Sequence, residues 1–172
     1  MLPWMFRHSI TSAQVMSMAG FLQSLLTDYH KHLERHQNRP FLNAAMAACA
    51  LMSSSGGEIT FSQRIRVDQI LETLEKLQIF DPHEAVDLFN DYTWAILEDP
   101  KAGHARALAA VQKCTADQDT AGLLIRICMA VAHADGEQKL SQQIELVMLC
   151  SLLQVEPQAT DLYIHSDDFA PS

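Results

Sequence analysis

Asp135-Gly136-Glu137 sets two carboxylates around a glycine, between a nearly all-apolar helix and a second helix beginning near Ser141. Carboxylate oxygens suit a hard divalent cation, which takes several oxygen ligands at once. Asp135 falls at the C-terminal end of its helix, where the backbone carbonyls already carry partial negative charge. An acid there is mildly unfavourable for an empty turn and favourable beside a cation. Glycine between the acids lets the backbone turn so that both side chains point one way. Glu145, one turn into the following helix, is a further candidate ligand, and His133 could reach through water. The plain alternative is a helix hairpin with a left-handed glycine and two hydrated acids. The ligand spacing of an EF-hand is missing, so spacing alone leaves both readings standing.

The turn has an earlier counterpart. Shifting the chain by 79 positions superposes Cys49 on Cys128, Gly57 on Gly136, Glu58 on Glu137, Ser62 on Ser141, Gln63 on Gln142 and Ile65 on Ile144. Six identities over seventeen positions indicate an internal duplication. Glu58 is therefore the first-copy acid. If the two turns meet across a pseudo-dyad, it joins Asp135 and Glu137 in one site.

The positioning elements read as helices throughout, with no useful period-two stretch. Residues 9–40 form a long N-terminal helix with Val15, Met18, Phe21, Leu22, Leu25, Leu26, Tyr29 and Leu33 at helical spacing. Asn38-Arg39-Pro40 ends it, because proline lacks a donor and disfavours the helical conformation before it. His32 and His36 share a face, but no accompanying carboxylate motif makes them metal ligands.

Residues 41–98 form the first repeat, opening on an apolar helix over 41–54 and continuing with helices over 63–78 and 82–98. Ser62 and Asp81-Pro82 are the caps. Residues 99–116 connect, with Ala105, Leu108, Ala109 and Val111 turned inward. Residues 117–163 form the second repeat, with helices over 120–134 and 141–154, a short helix from Glu156-Pro157, and a loose tail over 164–172. The fold class is all-α: a single-domain bundle of about seven or eight helices, packed around the two apolar helices with pseudo-two-fold duplication.

Composition narrows the function classes. With 21 acids against 12 bases the net charge is −9, which argues against a nucleic-acid backbone as the main partner. Cys49, Cys114, Cys128 and Cys150 form no C-x-x-C pair and lie among apolar neighbours, so they read as reduced core thiols of a cytosolic protein. No run is long enough to span a membrane. Trp4 and Phe6 allow weak contact with a membrane surface. No nucleophile elbow, zincin, phosphate-loop or di-iron pattern is present, so no enzyme is expected.

The apolar helix ending in Ala134-Asp135-Gly136-Glu137, with its degenerate copy at Gly57-Glu58, resembles the TerB family of tellurite resistance proteins over roughly residues 41–160. The resemblance implies a bacterial, cytoplasmic, non-enzymatic protein of the tellurite and chemical-stress response, near the inner membrane in some relatives and working with protein partners. It also implies a divalent-cation site, calcium first, at Asp135, Glu137 and Glu58, with Glu145 nearby. This chain departs from that pattern at Gly56, where the first copy would carry aspartate. The alternative reading is a metal-free helical interaction module of the co-chaperone accessory type. No basic cluster resembles an oxyanion site, so direct tellurite chemistry is not expected.

Overall fold

The computed structural model describes residues 12–114 and 117–156, with side chains from residue 18 onward. Trp4, Phe6, the helix expected after Pro157 and the tail lie outside those residues. The described residues form an all-α structure of seven helices without strands: α1 Ser12–Ser55, α2 Phe61–Thr73, α3 Glu75–Gln78, α4 Pro82–Glu98, α5 Pro100–Gln112, α6 Gln118–Ala132 and α7 Leu140–Leu153. The chain divides into two units, Met1–Gln37 and Asn38–Ser172.

The expected break at Pro40 is corrected: α1 runs through it for 44 residues. Pro40 is exposed, so the His36 carbonyl it leaves without a helical donor sits where water reaches it. Beyond the proline the helix is held by burial. Every residue from Leu42 to Met52 except Asn43 is at most 2% exposed. Large side chains such as Leu42, Met46 and Met52 each contribute about 1.5–3 kcal/mol when buried, which outweighs a proline's cost of about 3 kcal/mol. The apolar residues before the proline have a different fate. Met18, Phe21, Leu22, Leu25, Leu26, Tyr29 and Leu33 are all exposed.

The second apolar helix is central too. In α6, Ala121, Leu124, Ile125, Ile127, Cys128, Val131 and Ala132 are buried. It starts at Asp117, whose side chain accepts from the backbone N–H groups of Asp119 and Thr120. The Thr120 hydroxyl donates to the same carboxylate at 2.7 Å and, with those N–H groups, lowers the Asp117 pKa. Asp81 caps α4 as expected, accepting from His83 N, and Asp99 caps α5 in the same way, accepting from Ala102 N.

Three local expectations shift. The α2 cap is Thr60 rather than Ser62, because Thr60 and Gln63 exchange reciprocal bonds as a capping box. Ile65, which helical spacing over 63–78 places on the buried stripe, is 40% exposed, while Gln63, two residues earlier, is buried. The inward face of α5 is Gly103, Ala107 and Val111 rather than Ala105 and Ala109. Gly103 decides that face: a Cβ there would collide with the Ala95 carbonyl and the Ile96 amide of α4.

Candidate functional site

The duplication is visible bond by bond. Gly57 and Gly136 both have left-handed backbones, φ 97° and 91°, which favour glycine. Each turn is closed by the equivalent bond, Gly57 N to Ser54 O at 3.1 Å and Gly136 N to His133 O at 3.0 Å. After each turn a glutamine reaches back to the helix start. Gln63 Oε1 accepts from Thr60 N at 3.0 Å, and Gln142 Oε1 from Lys139 N at 3.1 Å.

The two turns meet. The Thr60 hydroxyl donates to the Asp135 carboxylate, with its oxygen 2.9 and 3.0 Å from Oδ1 and Oδ2. Lys139, which matches Thr60 in the other copy, sends its Nζ to the Gly56 carbonyl oxygen at 2.7 Å. Gly56 in turn matches Asp135. Each helix start therefore holds the opposite turn, and the pair of contacts exchanges under the 79-residue shift.

Gly56 is tied to this exchange by packing as well. A Cβ at Gly56 would lie 3.0 Å from Gln142 Nε2 and 3.5 Å from Lys139 Cδ. Gln142 is buried and donates to the Met52 carbonyl at 3.3 Å, so it holds the floor of the first turn. The lysine stem and Gln142 occupy the space an aspartate would need.

Asp135, Glu137 and Glu58 are all exposed around this junction. Glu145 is engaged elsewhere. Its Oε1 pairs with His104 Nε2 of α5 at 2.8 Å, with the glutamate largely buried. Among the described residues, no three histidine, cysteine, aspartate or glutamate side chains gather as a metal-holding group. The Gly56 carbonyl, an oxygen a hard cation could have used, is already held by the Lys139 ammonium.

Sequence reasoning missed Thr60, Lys139 and His104. The first two carried a signal, since Thr-x-x-Gln and Lys-x-x-Gln recur 79 positions apart. His104 carried none.

The thiols lie in the core. Cys49, Cys128 and Cys150 are buried and free, and Cys114 is partly exposed. Burial pushes the Cys49 pKa up to about 12 and raises that of Cys128 well above its usual value. They are protonated, unreactive packing groups near neutral pH. Among the described residues, a cleft of about 740 Å³ lined by residues including Asp119, Leu123, Arg126 and Glu156 has no histidine or cysteine on its walls. Among the described residues no helix is long and apolar enough to cross a membrane.

Comparison with known proteins matches residues 42–163 to the family described as tellurite resistance protein TerB. The chain is 20% identical over 108 residues to the tellurium resistance protein TerB of an Alcaligenes species, spanning 63% of this chain and 88% of that protein. No solved structure matches the chain.

Proposed function

This chain belongs to the TerB family of tellurite resistance proteins, and on that premise we propose that it is a non-enzymatic component of tellurite and chemical-stress resistance, acting by binding a protein partner. The observation that carries this reading is the reciprocal junction, Thr60 on Asp135 and Lys139 on Gly56. It joins the two turns, in which Glu58, Asp135 and Glu137 are exposed. With a net charge of −9, those acids suit a partner presenting basic groups. The site of action is cytoplasmic in this reading.

Tellurite sensitivity tests it. Cells lacking their resistance determinant should regain growth on tellurite when supplied with this chain in its native system. Asp135→Asn combined with Glu137→Gln should abolish that rescue while leaving the thermal transition in place. Absence of rescue by the wild-type chain would refute the assignment.

The four acids do not fit one resident cation, because His104 holds Glu145 and Lys139 holds the Gly56 carbonyl. A second reading keeps a divalent cation, calcium first, on Asp135, Glu137 and Glu58 alone. The exposure of these three acids around the paired turns favours it. Calorimetric titration of demetallated protein with calcium, magnesium and zinc separates the readings. Saturable heat lost in Asp135→Asn supports the cation; no saturable heat leaves the metal-independent surface.

A further inference from the structure

A cleft of about 270 Å³ opens between the later turns of α2, the α3 segment and the start of α4. It begins about 12 Å along α2 from the Thr60 cap. Its walls are Leu71, Leu77, Phe80 and Ala85, each at most 6% exposed. Exposed Asp68, Glu72 and Gln78 supply its polar lining. Asp68 and Glu72 stand at i and i+4 on one face of α2, where like charges repel. The Gln78 amide nitrogen donates to the Glu72 backbone carbonyl, which leaves the Gln78 side-chain oxygen as an acceptor. The cleft therefore offers negative charge and acceptors beside apolar walls.

We propose that this cleft takes a lysine or arginine side chain of a protein partner. The aliphatic stem packs on the walls, and the cationic head is held by Asp68, Glu72 and the Gln78 oxygen. The proposal goes beyond the tellurite assignment, does not depend on it, and uses none of the turn acids.

Charge selects this occupant, because the chain leaves its own acid pair unanswered. Among the described residues, neither the Asp68 nor the Glu72 carboxylate has a hydrogen bond or an ion pair. The cations placed to answer them are committed elsewhere. Arg64, four residues before Asp68, reaches Asn90 Oδ1 at 3.3 Å. Lys76, four residues after Glu72, holds its Nζ over the Phe41 ring at 5.5 Å. Arg39, which lies over the Phe80 ring, is paired with Glu84 at 2.6 Å. The start of α4 does not turn the cleft into an anion site, since the Asp81 side chain already accepts there and Pro82 has no N–H. An anion would meet two carboxylates, and a wholly apolar group would desolvate them without a partner. A long side chain with a charged head matches both parts of the lining. Size agrees: the cleft falls below the roughly 300–1,000 Å³ of pockets that enclose a whole drug-sized ligand, so it suits a single side chain. The net charge of −9 steers a basic partner toward this chain.

Amide NMR titrations of the isotope-labelled full chain test the proposal. The probes are blocked glycine peptides with one central lysine, arginine, norleucine or glutamate. The lysine and arginine peptides should shift the Leu71, Leu77, Phe80 and Ala85 signals saturably, with a dissociation constant of about 1 mM or tighter at low salt. The norleucine and glutamate peptides should bind at least about tenfold more weakly. Asp68→Asn with Glu72→Gln should weaken the lysine peptide by about the same factor. Both sites are exposed, so the rest of the spectrum and the thermal transition should be unchanged. Asp135→Asn with Glu137→Gln should leave the binding as it is. Norleucine and lysine peptides of equal affinity in the wild type overturn the proposal, whatever the variants do. So do shifts that gather at the two turns and vanish with the Asp135 and Glu137 substitutions, which would place the basic group there. Free cadaverine bound at least about tenfold more tightly than either basic peptide would assign the cleft to small amines instead.

Discussion

The Thr60 hydroxyl and the Asp135 carboxylate, 75 positions apart in sequence, join the two hairpin turns through oxygens 2.9 and 3.0 Å apart. Thr60 also accepts from Gln63 N, so one side chain both starts α2 and ties it to the opposite turn. Thr60→Val removes both roles and should destabilise the protein by about 1–2 kcal/mol. Asp135→Ala removes only the exposed partner and should cost about 0.5–1 kcal/mol. Chemical denaturation of the two single variants and the double variant should show non-additive losses, as expected for groups in contact.

The glycines of α5 and α6 should respond in opposite directions. Gly103→Ala drives a methyl into the α4 backbone at Ala95, and should cost about 3 kcal/mol or more or prevent folding. At Gly122 no atom stands within 4 Å of an added Cβ, so Gly122→Ala should stabilise α6 by roughly 0.5–1 kcal/mol. Thermal melts decide both.

Pro40 sits inside α1, exposed, and deprives the His36 carbonyl of its helical donor. Pro40→Ala restores that donor and should raise stability by about 1–3 kcal/mol, with a matching rise in the thermal transition. A destabilised variant would mean that the proline ring itself contributes packing.

The thiols predict a reactivity order and an alkaline limb. Cys114 should alkylate in the native protein, while Cys49, Cys128 and Cys150 wait for unfolding. The folded Cys49 pKa is raised to about 12 from an ordinary 9.0. Its stabilising effect is complete below that ordinary value and is lost as the pH climbs toward 12, because only the unfolded chain releases the proton. Cys49→Ala should shallow this alkaline decline in a pH series of denaturation curves.

Glu145 owes its largely buried position to His104, 2.8 Å away on α5. His104→Ala leaves that carboxylate without its partner and should cost about 1–3 kcal/mol. Replacing both with leucine should recover most of the loss, since an apolar pair needs no partner. Equal losses in the single and double variants would contradict this account.

The sequence by itself determined the helices, the two central apolar segments and the duplication. These rest on local physics: helical spacing, Asp-Pro caps, and glycines where a left-handed backbone is required. The 79-residue repeat also made the two turns legible as equivalents. Only the tertiary structure decided which groups meet. Glu145 reads as a neighbour of Asp135 along the chain, yet a histidine 41 positions away claims it. Ala105 reads as inward by spacing, yet Gly103 is the buried residue, where the α4 backbone leaves no room for a Cβ. Pro40 signals a helix end locally, but burial of the segment after it carries the helix through. Thr60 and Lys139 find the opposite turns because folding brings the two turns together, a long-range relation that no local spacing contains.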